Sequence, residues 1–152
     1  DDYLGEFYRK DLKTGRITHD QAVRLLDNFF TIIETQCGRD TRVIIGGMGR
    51  EHEKSADEFA MLVMDVLEVR REHFYPQISL RYYKEMNQDI YDRALRILGS
   101  GMTFPMLYND DVNVPAVMRA MDVPKRQRSS IRSLAAENIC WRHRVSERQI
   151  QP

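Results

Sequence analysis

The sequence has no apolar run that approaches the roughly 20 residues required to cross a bilayer. Its opening stretch, DDYLGEFYRKDL, also lacks the basic start and apolar core of a secretory signal peptide. These two absences favour a cytoplasmic protein that makes no contact with a membrane.

Residues that bind metals or form disulfides are scarce as well. The two cysteines, Cys37 and Cys140, match no metal-binding or redox spacing. The four histidines include no pair at positions i and i+4, so a zinc site is not expected. We interpret both cysteines as reduced thiols, because disulfides are rare in reducing compartments.

The formal net charge is zero, but the charge is unevenly distributed along the chain. Residues 125–152 contain seven Lys or Arg residues against two Glu. One hypothesis is therefore a small helical interaction module whose basic tail binds nucleic acid or an acidic partner. Nucleic acid is the less favoured ligand, because Trp141 is the one aromatic residue of the tail that could stack on bases.

Apolar residues at three- and four-residue spacing predict four helices. The sequence favours a helix start with a capping box at Thr18 and Gln21, and a second N-cap at Asn87. The predicted helices cover 3–12, 18–33, about 55–71 and 87–98.

Three strands are predicted between and after these helices. Val43–Ile45 is followed by Gly46, Gly47 and Gly49, whose spacing matches no nucleotide-binding motif and favours a tight turn. In PQISLRYYK, Ile78, Leu80 and Tyr82 alternate with Ser79, Arg81 and Tyr83. The third strand is predicted at Phe104–Tyr108. Strands separated by helices indicate an α/β fold, and so few strands suggest a fragment of a larger protein.

The stretch FPMLYNDDVNVPAV places three side-chain oxygen ligands, Asn109, Asp110 and Asp111, directly after the third strand. In one interpretation they cap a turn and a helix that begins near Pro115. In the other they contact a substrate.

Four blocks, taken in order, resemble the glycyl radical enzymes, the pyruvate formate-lyase-like proteins that include diol and choline lyases. The blocks are RITHDQAVRLLDNFF, IIGGMG, PQISLRYYKEM and ILGSGMTFPMLYNDDVNVPAVMRAMDVP. The resemblance covers residues 1–124 and implies a helix-rich α/β fragment of a ten-stranded β/α barrel with the active site inside.

The resemblance also implies a chemistry. The complete enzyme is expected to be a formate C-acetyltransferase-like acyltransferase, a lyase or a dehydratase of anaerobic metabolism that acts on a small metabolite. An activating enzyme with an iron–sulfur cluster and S-adenosylmethionine installs a radical on a glycine. The radical is then transferred from the glycine to a cysteine. The parent is expected to be a homodimer. The resemblance makes Phe104–Tyr108 a barrel strand that is buried on both sides. It also implies four candidates for the substrate pocket or a barrel loop: Arg81, Asn109, Asp110 and Asp111. Arg81 is expected to pair with one of the carboxylates.

The tail departs from the family pattern. Cys140 lies where the family's cysteine loop is expected but has no adjacent glycine. No residue is therefore assigned as thiyl cysteine or radical glycine, and this chain alone is expected to be inert, with no bound cofactor. A shift of one base near codon 125 is one explanation, because reading the codons from their third bases permits a Cys-Gly-Gly-Glu-Tyr run that starts across Leu134 and Ala135. Residues 125–152 are then expected to be an atypical, disordered tail.

Overall fold

A computed structural model of the chain describes residues 1–36 and 41–120, and it confirms the predicted order of helices and strands. Cys37, Cys140 and the segment 125–152 lie outside the described residues. Contacts divide the chain into two compact units, Asp1–Tyr108 and Asn109–Pro152. None of the helices in the described part is long and apolar enough to cross a membrane. The elements are α1 (Asp2–Lys13), α2 (His19–Gln36), β1 (Arg42–Gly46), α3 (Glu53–Val69), β2 (Gln77–Tyr82), α4 (Gln88–Gly99), β3 (Met106–Asn109) and α5 (Asp110–Ala120).

The predicted helix caps are present. The backbone N–H of Thr18 donates to Oε1 of Gln21 at 2.8 Å, and the N–H of Gln21 donates back to Oγ1 of Thr18 at 3.3 Å. This reciprocal pair is the capping box, and it fixes the start of α2. Asn87 caps α4 by accepting a hydrogen bond from the N–H of Asp89 at 3.0 Å.

The three strands form one parallel sheet in the order β1-β2-β3. In the β1–β2 pair, Ile44 is opposite Ser79 and Gly46 is opposite Arg81. The parallel direction requires a crossover between the two strands, and α3 supplies it.

Helix α3 is the centre of the first unit, because it packs against α1, α2, α4 and β1. Its sequence is apolar on most sides, and such helices are buried. Gly5 permits a close approach of α1 to α3, since a Cβ there would lie 2.4 Å from the carbonyl oxygen of Ser55. On the sheet side, Ile45, Ile78 and Leu80 have no exposed surface and join the same core.

In β2, Ser79 and Arg81 are buried along with Ile78 and Leu80, so both faces of this central strand are covered. Strand β3 begins at Met106 and not at Phe104, and its residues are half-buried in this chain, so burial on both sides within a barrel stays a prediction. The residues are half-buried because β3 lies at an edge of the described sheet.

The last described helix begins at Asp110 and not near Pro115. Asn109 and the two acidic residues of the first turn supply a better helix start than the proline does, because the helix N-terminus carries partial positive charge. Pro115 lies inside the helix, where it donates no main-chain hydrogen bond.

Candidate functional site

The two faces of the β1–β2 ladder differ in chemistry. Neighbouring residues of a parallel pair point to the same face, so the register assigns six residues to the face opposite Ile45, Ile78 and Leu80. A side-chain hydrogen bond of 3.2 Å from Nη2 of Arg42 to Oε1 of Gln77 confirms this assignment. We call this surface the polar sheet face; its residues are Arg42, Ile44, Gly46, Gln77, Ser79 and Arg81.

The polar sheet face ends in the turn that follows β1. Gly46 and Gly47 have φ values of +74° and +98°, in the left-handed region that favours glycine. A Cβ on Gly46 would lie 2.4 Å from the carbonyl oxygen of Arg81, and one on Gly47 would lie 3.0 Å from Cζ of Arg81. The glycines therefore serve a tight turn that packs on the end of β2, as the sequence predicted.

The buried side chain of Arg50 stabilises this turn. Its side chain is 6% exposed, and its guanidinium contacts Oδ2 of Asp1 at 3.2 Å and Oδ1 of Asp57 at 2.7 Å. It also donates from Nε to the carbonyl oxygen of Gly47 at 3.1 Å. Oδ2 of Asp1 accepts in addition from the N–H of Gly46 at 2.6 Å. Arg50 thus ties the glycine turn to α1 and α3.

Tyr83 extends the same network at the end of β2. Its hydroxyl donates to Oε1 of Glu53, and Nη2 of Arg50 lies 3.8 Å from that oxygen. Burial, followed by the hydrogen bond to Glu53, raises the pKa of Tyr83 to about 12. The phenol therefore remains a protonated donor at neutral pH.

On the polar sheet face, the hydroxyl of Ser79 lacks a hydrogen-bond partner. The serine is 2% exposed. A buried hydroxyl without a partner costs about 1–3 kcal/mol. From the sequence alone, Ser79 was one of the alternating residues of the second predicted strand and had no assigned role.

The four sequence-predicted site residues divide between the two units. Arg81 lies on β2 in the first unit and is 8% exposed. Asn109 is the last residue of β3, and Asp110 and Asp111 begin α5; all three belong to the second unit. Whether Arg81 pairs with one of these carboxylates stays a prediction.

The geometry at the start of α5 agrees with the capping interpretation. Oδ1 of Asn109 accepts a hydrogen bond from the N–H of Asp111 at 2.9 Å. Asp110 is 2% exposed, whereas Asp111 is exposed, and both stand in the first helical turn. Contact of these residues with a substrate stays a prediction.

Sequence reasoning missed Arg50, Tyr83 and Ser79. The partners of Arg50 are distant in sequence, so no local motif signals the cluster. A usable signal for Tyr83 was its position at the end of a predicted strand that also carries an arginine. Within residues 1–36 and 41–120, no three His, Cys, Asp or Glu residues are grouped closely enough to hold a metal ion.

Comparison with known proteins places these features in a family. A model of the pyruvate formate lyase-like family matches residues 1–133, which include every described helix and strand. The match ends inside the basic segment 125–152. No solved structure matches the chain. Since the family match covers most of its length, the chain belongs to the pyruvate formate lyase-like family.

Proposed function

We propose that this chain is a portion of a glycyl radical enzyme whose complete form is an acyltransferase, a lyase or a dehydratase acting on a small metabolite. The observation that carries the proposal is the family match over residues 1–133. The order of parallel strands with intervening helices supports it, because this is the order from which a β/α barrel is built. In this proposal β1, β2 and β3 are consecutive strands of a ten-stranded barrel.

Surfaces that this chain leaves uncovered support a role within a larger barrel. Strand β3 is half-buried, although its side chains are mostly apolar. One side of α2 exposes Leu25, Phe29 and Ile32 by 59%, 49% and 57%, while Leu26 and Phe30 are buried. A helix with a second apolar side is typical of one that packs between elements. The proposed cover is the remainder of the parent protein.

The chemistry in the proposal is hydrogen-atom transfer. A glycyl radical of the parent, installed by an iron–sulfur activating enzyme that uses S-adenosylmethionine, takes a hydrogen atom from a cysteine thiol, and the resulting sulfur radical takes one from the substrate. The residues of this chain supply binding and exclusion of water, which such reactive intermediates require. The proposed parent is a cytoplasmic homodimer.

Electron paramagnetic resonance tests the proposal. The parent protein, treated anaerobically with its activating enzyme, a reductant and S-adenosylmethionine, is expected to show the doublet signal of a glycyl radical. The present chain, treated in the same way, is expected to show no signal and no turnover. A parent that is fully folded and exposed to a competent activating enzyme, yet forms no radical, would contradict the proposal.

A further inference from the structure

We propose that the polar sheet face binds an anionic oxygen group of the substrate, either a carboxylate or a phosphate, and that Ser79 and Arg81 are the residues that contact this group. This inference rests on the proposed function, since it names the substrate class of the same barrel. Its first support is the composition of the face. Of its six residues, two are arginines, one is an amide and one is a hydroxyl, and none is acidic.

The second support is the unmade hydrogen bond of Ser79. The hydroxyl is buried on a sheet face, beside a strand neighbour, Ile44, that offers no side-chain acceptor. Native structures rarely leave a buried polar group unpaired, and such groups are found where a water, an ion or a ligand completes the bond. A hydroxyl in this position donates to an oxygen atom placed over the face.

The third support is the charge of Arg81, two positions further along the same side of β2. Its guanidinium packs against Gly47, and a Cβ on that residue would lie 3.0–3.1 Å from three of its atoms. The glycine therefore makes room for a buried cation. Arg81 already has partners within the fold. It contributes positive potential to the face, while Ser79 supplies the donor that has no partner.

Burial of both side chains strengthens the interaction with an anion. Charges and dipoles interact more strongly where water is excluded than at an exposed surface. The arginine provides only donors and a positive charge, and the serine hydroxyl can donate as well as accept, so an anionic oxygen group is favoured over an ammonium group. Arg42 and Gln77, joined at 3.2 Å, extend the donor surface toward the start of the strands.

The test is a nuclear magnetic resonance titration of the ¹⁵N-labelled chain with sodium acetate and with sodium phosphate, against sodium chloride at equal ionic strength. Saturable shifts are expected at the amides of Ser79, Gly47 and Arg81. Saturation by acetate alone identifies a carboxylate, and saturation by phosphate alone identifies a phosphate. Shifts that chloride reproduces, or that never saturate, would overturn the proposal.

Variants separate the site from a general charge effect. Ser79→Ala is expected to weaken binding of the effective anion about fivefold or more, the loss of one charge-assisted hydrogen bond. Arg81→Gln is expected to weaken it further. The matched control, Arg24→Gln, removes an equal charge from an exposed position on α2 and is expected to change nothing. Equal binding by Ser79→Ala and the unchanged chain would mean that the hydroxyl holds a buried water, and the proposal would be wrong.

The outcomes also distinguish this inference from the proposed function. Anion binding is measured without any radical, so a parent that forms the glycyl radical while this face binds neither probe defeats the inference alone. Binding that persists in a protein whose parent forms no radical defeats the proposed function alone.

Discussion

The two faces of one short ladder, β1 and β2, perform different tasks. Ile45, Ile78 and Leu80 on one face have no exposed surface and pack into the core around α3. Ser79 and Arg81 on the other face are nearly as buried, but they carry polar groups. Burial alone therefore does not distinguish a stabilising face from a functional one. The distinction lies in whether the buried groups have all the partners they need.

The largest expected effect belongs to the core face. Leu80→Ala removes a fully buried side chain from the centre of the sheet, and such a change costs about 2–5 kcal/mol of unfolding free energy. Urea denaturation of the two chains measures it. A loss below about 1 kcal/mol would show that this face is not packed as described.

The glycine turn gives the next effect. Gly46→Ala is expected to cost about 3 kcal/mol, because the strain of a left-handed residue adds to a Cβ that meets the Arg81 carbonyl oxygen. Gly15→Ala is the matched control, since Gly15 has φ of +67° but a Cβ there would meet nothing within 4 Å. The control is expected to cost about 1 kcal/mol. Equal losses in the two variants would contradict the close approach of the turn to β2.

Tyr83 connects the turn network to pH. Its folded pKa of about 12 lies above the unfolded value of 10.0, so the neutral phenol is favoured in the folded chain. The stability that it contributes is fully present below pH 10.0 and is lost as the pH rises toward about 12. Tyr83→Phe is expected to cost about 1 kcal/mol at neutral pH and to remove its share of the alkaline loss. Urea denaturation between pH 8 and pH 11 measures both. Parallel pH profiles of the variant and the unchanged chain would contradict this assignment.

Asp2 gives a smaller effect with the opposite sign. Partial burial acts to raise its pKa, but hydrogen bonds of 2.9 Å from the N–H groups of Glu51 and His52 outweigh it and lower the pKa below 3.8. Its contribution is present above pH 3.8 and is lost as the pH falls through the lowered value. Asp2→Asn is expected to flatten the stability profile below pH 4. An unchanged acid profile would show that these bonds do not hold in solution.

Local patterns predicted most of the fold. The capping box at Thr18, the cap at Asn87 and the apolar periods depend on neighbours within a few positions, so they can be read from one sequence. The predicted start of α5 near Pro115 was wrong, because Asn109, Asp110 and Asp111 form a stronger helix start than the proline does. The burial of Ser79 depends on which elements cover the sheet, and no local pattern carries that information.

The candidate site was less predictable for the same reason. Arg81 became a candidate through the resemblance to the glycyl radical enzymes, and its role stays a prediction, whereas the capping role of Asn109 followed from its type and position. The network around Arg50 joins residues from α1, the glycine turn and α3. Such a cluster exists only once the chain has folded, so composition and spacing could not reveal it.

The central claim, that the polar sheet face is kept for binding and not for stability, is tested most directly by the unfolding free energy of Ser79→Ala. Removing a buried hydroxyl without a partner is expected to leave stability unchanged or to raise it by up to about 1 kcal/mol. Urea denaturation of Ser79→Ala and of Leu80→Ala, which changes the next residue on the core face, compares the two faces within one strand. A loss of more than about 1 kcal/mol in Ser79→Ala would mean that the hydroxyl is satisfied within the fold, and it would contradict the claim.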